Sequence, residues 1–271
     1  MLDPLKHVLS ALLSHTHALV THLGAAPGGA VGWCLSIAAI VVVVRSLLLP
    51  ITVHQVRNAR RSALARPQLQ EIAQRYKGRT DTESVRAMME ERRAVSAEHG
   101  VSRLGCLPVL LQVPLWIALY HLLSDVASGS PVGSMDAEQV ALFDRAQLFG
   151  TGLADSGMLG HGGLHLAVVL TLAAAAALVS FATQHLFVMP NTPTEGVPEA
   201  MQQATRMMPT LSAAGLLLAG TFVPVGLLVY WVASQVWTLG QSFVVWRWFP
   251  TPGTRAASRH LVDRPAPRDA R

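Results

Sequence analysis

The sequence predicts an all-α polytopic membrane protein, with five transmembrane helices, a cytoplasmic helical hairpin and an N-terminal interfacial amphipathic helix. Three observations predict it. Hydrophobic residues make up 51% of the 271-residue chain and charged residues only 14%, where a soluble globular protein carries about 25% charge. Mean hydropathy is +0.38; so little charge cannot cover a soluble domain of this size, and the abundance of Leu, Val and Ala excludes disorder. The apolar residues also gather into runs near the roughly 20 residues needed to cross about 30 Å of hydrocarbon.

Residues 2–23 repeat Leu5, Val8, Leu9, Leu12, Leu13, Leu19, Val20 and Leu23 at helical spacing, with His7, His15, His17 and His22 between them. Such a stripe suits a helix lying in the outer interface. Asp3 and Pro4, with the histidines breaking the run, read against a cleaved signal peptide. Trp33 before Cys34 leaves no lipoprotein box. Residues 1–29 are thus the interfacial helix and its hinge. The spans follow at about 30–53, 104–123, 164–188, 201–222 and 225–246, the last long run being divided at Pro224 because proline removes a helix donor and clashes with the preceding turn. Between the first two, 56–100 reads as a hairpin of helices from Val56 to Tyr76 and from Thr82 to His99. These are broken at Lys77-Gly78-Arg79, with Leu64, Leu69, Ile72, Val85, Met88, Met89 and Val95 offering a thin seam. A solvated arm and a docking site for nascent chain, ribosome or partner are both compatible with it.

Charge sets the orientation. Arginines crowd the hairpin, and Arg247, Arg255, Arg259, Arg264, Arg268 and Arg271 mark the tail, 249–271. Residues 124–163 instead set Asp125, Asp136, Glu138, Asp144 and Asp155 against Arg145 alone. The positive-inside bias places hairpin and tail in the cytoplasm and the acidic loop outside, so the N-terminus is out and the C-terminus in.

Several chemistries lack their residues. The only lysines, Lys6 and Lys77, follow no glycine-rich turn, so no Walker phosphate loop and no ATP-driven pump can be drawn. Cys34 and Cys106 sit in apolar runs and give no disulfide framework. His161 and His165 have metal-compatible spacing but no third ligand. No nucleophile–base set shares a membrane depth, so no catalytic residue, metal or cofactor is expected and the chain is not read as an enzyme.

Arg45 is the sharpest residue. With Trp33 taken as the outer interface, it lies about 18 Å deeper at about 1.5 Å per residue, where an arginine costs about 2.5–3.5 kcal/mol. No Asp or Glu occupies any of the five spans. Either the side chain snorkels to the inner headgroups, or it is a cation in a wet intramembrane cavity awaiting an anion. Polar stripes could line such a cavity: Trp231, Ser234, Thr238 and Gln241; Gln112, Trp116 and Tyr120; and Ser180, Thr183 and Gln184. Helix–helix hydrogen bonding is the alternative use of such stripes.

The run from Leu104 to Tyr120, LGCLPVLLQVPLWIALY, resembles the second core span of YidC-type membrane protein insertases (the YidC/Oxa/Alb family). Val44-Arg45-Ser-Leu-Leu-Leu-Pro50 and Pro224-Val-Gly-Leu-Leu-Val-Tyr-Trp231, running on to Gln241, are similar to its other core segments. The resemblance covers about residues 30–248 and matches the compact five-span bacterial form, without a lipoprotein signal, a long Lys-rich tail or a large extracytoplasmic domain. It implies five helices around a hydrophilic groove open to cytoplasm and lipid. It further implies a groove arginine at Arg45, a groove-facing aromatic pair at Tyr230 and Trp231, and a polar lining from Gln112 and Gln184, with Ser234, Thr238 and Gln241 alongside. The implied function is a membrane protein insertase and chaperone of the bacterial plasma membrane, working without nucleotide. Its partners would be nascent membrane proteins and lipid, with the Sec translocon and the ribosome as further partners and no specific nucleic acid. The competing class is an anion or small-solute transporter using Arg45; such proteins carry internal repeats, and none relates 30–123 to 164–246. A scaffolding subunit, the third class, would leave Arg45 unexplained.

Overall fold

The apolar runs fold as helices in the computed structural model, which describes residues 3–102, 107–157, 162–194, 197 and 199–262. Arg103 and Leu104–Cys106 of the family-like motif, His161, and tail residues 263–271 lie outside them. Two units arise: Met1–Leu48 with Val109–Thr183 and Met208–Gln241, and Leu49–Pro108 with Gln184–Met207 and Ser242–Arg271. Helices Ala30–Leu47 and Gly162–Asn191 are long and apolar enough to cross a membrane. The chain is mostly helical, as a helical membrane protein is; the exception to all-α is one hairpin of two-residue strands.

In the first unit, α1 (Asp3–His22) packs on α2 (Ala30–Leu47). Leu9 and Leu13 of its apolar stripe enter the core, while Val8, Leu19 and Leu23 stay exposed. Trp33, taken as an interface marker, is instead fully buried. It stacks on His17 at 3.6 Å between centroids and meets Phe143 edge-on at 5.2 Å, so it measures no depth. The first apolar run also ends earlier than 53. The helix closes at Leu48, whose N–H bonds back to Val44, and α3 (Leu49–Arg75) begins at once. Pro50 explains the break: its missing N–H and fixed φ suit a helix start and oppose a helix interior.

Helix α5 (Leu107–Ala127) continues to Asp125, which pairs with Lys6 of α1 at 2.7 Å. The acidic segment carries secondary structure. It holds α6 (Ala137–Arg145), capped by Asp136 accepting the Gln139 N–H at 2.8 Å, and strands β1 (Gln147–Leu148) and β2 (Thr151–Gly152). The two-residue turn between the strands has Phe149 at φ 51° and Gly150 at φ 80°, the positive-φ pair that matches hairpin twist. Helix α7 (Gly162–Thr183) follows and passes into a π turn, Gln184–Val188, and a 3-10 turn, Met189–Asn191.

The last long run divides at Pro224 into α8 (Glu199–Gly220) and α9 (Val225–Trp248). A helix start leaves orphan N–H donors that need partners. Here the Asp155 and Leu153 carbonyls accept the Val225 and Gly226 N–H groups at 3.0 and 2.9 Å. The segment after β2 therefore caps α9.

In the second unit, α3 and α4 (Thr82–Glu98) make the expected hairpin around Gly78 at φ 84°. Tyr76 and Arg75 both bond Glu91, at 2.8 and 3.0 Å, and Asn58 accepts the Ser102 N–H at 2.6 Å. Of the expected seam Ile72 is buried and Leu69, Val85, Met88 and Val95 are half-buried, whereas Leu64 and Met89 are exposed. Ala65, seven residues before Ile72 and so on the same face, is buried with it. The tail is not featureless: α10 (Arg255–Val262) follows a turn in which Asn191 accepts the Thr251 N–H at 2.7 Å.

Candidate functional site

Arg45 stands in the last turn of α2, where the helix's unmatched carbonyls favour a cation. The half-buried guanidinium reaches α9 and donates from Nη2 to the Ser234 hydroxyl at 2.9 Å. Tyr230 stands one turn earlier on the same helix. Among the described residues no carboxylate forms an ion pair with Arg45. One of its five donors is spent on Ser234, and the fork geometry of the rest suits a carboxylate or phosphate.

Four predicted residues come together here: Arg45, Gln112, Tyr230 and Ser234. The first three line a narrow cleft with Val44, Leu115 and Leu119. Leu9 of α1 joins them, a residue the sequence places in the interfacial stripe. Free space in the cleft is about 10 Å³, room for about one water.

The other four are placed elsewhere. Trp231, one residue past Tyr230, points into the hydrophobic core at 6% exposure. Thr238 donates to the Ser234 carbonyl of its own helix at 2.8 Å, and Gln241 accepts from the Trp237 indole at 3.1 Å. Both are local helix pairings. Gln184 begins the π turn after α7 and belongs to the second unit. The Trp116–Tyr120 part of the α5 stripe forms a ring stack at 6.2 Å. His165 turns Nε2 toward the Gly157 carbonyl at 2.7 Å, with Asp155 at 3.9 Å from its other nitrogen.

Comparison with known proteins fits this arrangement to one family. The pattern of the 60Kd inner membrane protein family matches residues 26–252. A membrane protein insertase YidC of Streptomyces avermitilis is 34% identical over 242 residues, which are 84% of this chain and 54% of that protein. The insertase YidC of Tropheryma whipplei (strain Twist) is 29% identical over 94% of this chain and 86% of its own length. That of Bifidobacterium longum is 25% identical over 95% and 78%. The chain thus spans about half the Streptomyces relative and most of the other two. The match runs from the hinge before α2 to the turn after α9, so the chain belongs to the 60Kd inner membrane protein family.

Proposed function

We propose that this protein is a membrane protein insertase and chaperone, the activity its relatives' names carry. It would receive the hydrophilic tails of nascent membrane proteins in a groove and release their apolar segments into the bilayer. The observation that carries the reading is Arg45, a cation in an apolar helix that meets a serine and no acid among the described residues. A carboxylate about 4 Å from such a charge gains about 4 kcal/mol at an effective dielectric near 20, against about 1 kcal/mol in water. An acidic tail is therefore the visitor this site favours. Ser234, Gln112 and Tyr230 supply polar partners beside it. With room for about one water, the cleft must widen as the tail enters. Burial of the client's own apolar span, at about 25 cal/mol per Å², drives release without nucleotide.

The architecture that serves this reading has five spans, α2, α5, α7 with its π turn, α8 and α9. Residues 30–248 form the membrane core, flanked by the interfacial segment 1–29 and the cytoplasmic tail 249–271. The hairpin 56–100 lies in the cytoplasm of a bacterial cell, the N-terminus outside. The Sec translocon and the ribosome are proposed as further partners.

The test is insertion of a short single-span client with an acidic N-terminal tail into liposomes that are empty, carry the wild type, or carry Arg45→Ala. Wild type inserts the client, and the variant slows it about tenfold, a barrier change of about 1.4 kcal/mol; a neutral-tailed client is much less affected. Equal insertion by both proteins removes Arg45 from the mechanism. No gain over empty liposomes, with chloride flux through the wild type, would replace the insertase with the anion transporter.

A further inference from the structure

The second unit holds a cavity of about 910 Å³, within the size range of small-ligand sites and separate from the Arg45 cleft. Three stretches build it, the turn after α7, the start of α8 and, about fifty residues on, the turn into α10. Two hydrogen-bond sets hold the turn in place. Arg66 of α3 donates to the Pro193 carbonyl at 3.0 Å, and Gln202 donates to the Thr194 and Val197 carbonyls at 3.3 and 2.8 Å. The Asn191–Thr251 bond fastens the tail to the same turn.

The lining is cationic. Arg206, Arg255, Arg259 and His185 face the cavity with the hydroxyls of Thr205 and Ser258. Among the described residues none of the three arginines pairs with a carboxylate. The hydroxyls donate to carbonyls of their own helices, Thr205 to Met201 and Ser258 to Arg255 at 2.9 and 3.0 Å, so the guanidinium forks are the donor set for phosphate oxygens. Met189, Pro190 and Val197 add half-buried apolar lining.

From this juxtaposition we infer that the cavity binds a phosphate-bearing anion, and that its source is the headgroup of an anionic phospholipid. The apolar lining favours the lipid over a free ion, because it would meet the glycerol and upper acyl chain. The inference rests on the family's membrane location and not on the insertase reading.

The full chain in detergent is titrated with phosphatidylglycerol, phosphatidylcholine and inorganic phosphate, and bound lipid is counted by native mass spectrometry. Variants are Arg206→Gln/Arg255→Gln/Arg259→Gln, the corresponding triple lysine substitution, and a charge-matched control in α4, Arg86→Gln/Arg92→Gln/Arg93→Gln. Wild type and control prefer phosphatidylglycerol. The glutamine triple loses on the order of a hundredfold in affinity, about fivefold per arginine near a headgroup, while the lysine triple retains part of it. Unaltered preference in a folded glutamine triple, or equal loss in the control, overturns the site. If both triples lose helical circular dichroism, displacement of phosphatidylglycerol from wild type decides. Displacement by inorganic phosphate at equal concentration overturns the lipid source in favour of the free anion, and a wild type without preference overturns the proposal outright.

Discussion

His17 shows how one side chain carries both packing and a pH term. Its ring stacks on Trp33, Nε2 donates to the Pro27 carbonyl at 3.0 Å, and Nδ1 lies 3.3 Å from the Ser36 hydroxyl. Burial lowers its pKa from the ordinary 6.5, with the Pro27 bond partly opposing. The unfolded chain therefore takes up the proton at higher pH than the folded one. The stability His17 contributes is present above about pH 6.5 and is lost as pH falls from there toward the folded pKa. We expect the melting temperature of wild type to fall between about pH 7 and pH 5 more steeply than that of His17→Phe, which keeps the stack and cannot titrate. Parallel curves would remove His17 as the cause. Arg45 was legible from its type and place in an apolar run alone. Ser234 was legible as one of a stripe of polar candidates, but not as the residue Arg45 bonds, because no local period ties it to a residue 189 positions away.

At the scale of elements, α9 contrasts two glycines. A Cβ on Gly226 would lie 2.9 Å from Phe143 Cζ and 3.4 Å from the Leu153 carbonyl, whereas one on Gly240 meets nothing within 4 Å. Phe143 is fully buried and cannot swing away. Gly226→Ala should therefore destabilise by about 1–3 kcal/mol, and Gly240→Ala should stabilise by about 0.5–1 kcal/mol through lower backbone entropy in the unfolded chain. Thermal unfolding of the reconstituted chain checks both; shifts of the same sign would contradict the packing account. The helix α6 was within reach of the sequence, since Asp136 three residues before Gln139 and ahead of Val140 and Phe143 is a capping pattern.

For the whole molecule, the charge asymmetry predicts which side each segment faces. In a background of Cys34→Ser and Cys106→Ser, a membrane-impermeant maleimide added to intact spheroplasts should label Glu138→Cys. It should label Arg92→Cys and Arg255→Cys only after permeabilisation. Labelling of Arg92→Cys in intact cells would reverse the orientation and end the reading of 56–100 as a cytoplasmic hairpin.

What the sequence by itself determined is what composition and local spacing encode. The chain is helical and belongs in a bilayer, its helices part at Lys77-Gly78-Arg79 and at Pro224, and Arg45 is out of keeping with its run. Each of these follows from a few neighbouring residues, because hydropathy, proline geometry and helical period are local. The tertiary structure decided what depends on distant partners. Trp33 became a core residue rather than an interface marker because His17 and Phe143 close over it. Tyr230 lines the Arg45 cleft while Trp231 does not, since consecutive helix residues point about 100° apart. The segment after β2 became the cap of α9, and Arg206, Arg255 and Arg259 came to line one cavity. Long-range hydrogen bonds and close approaches select these arrangements, and no local period records them.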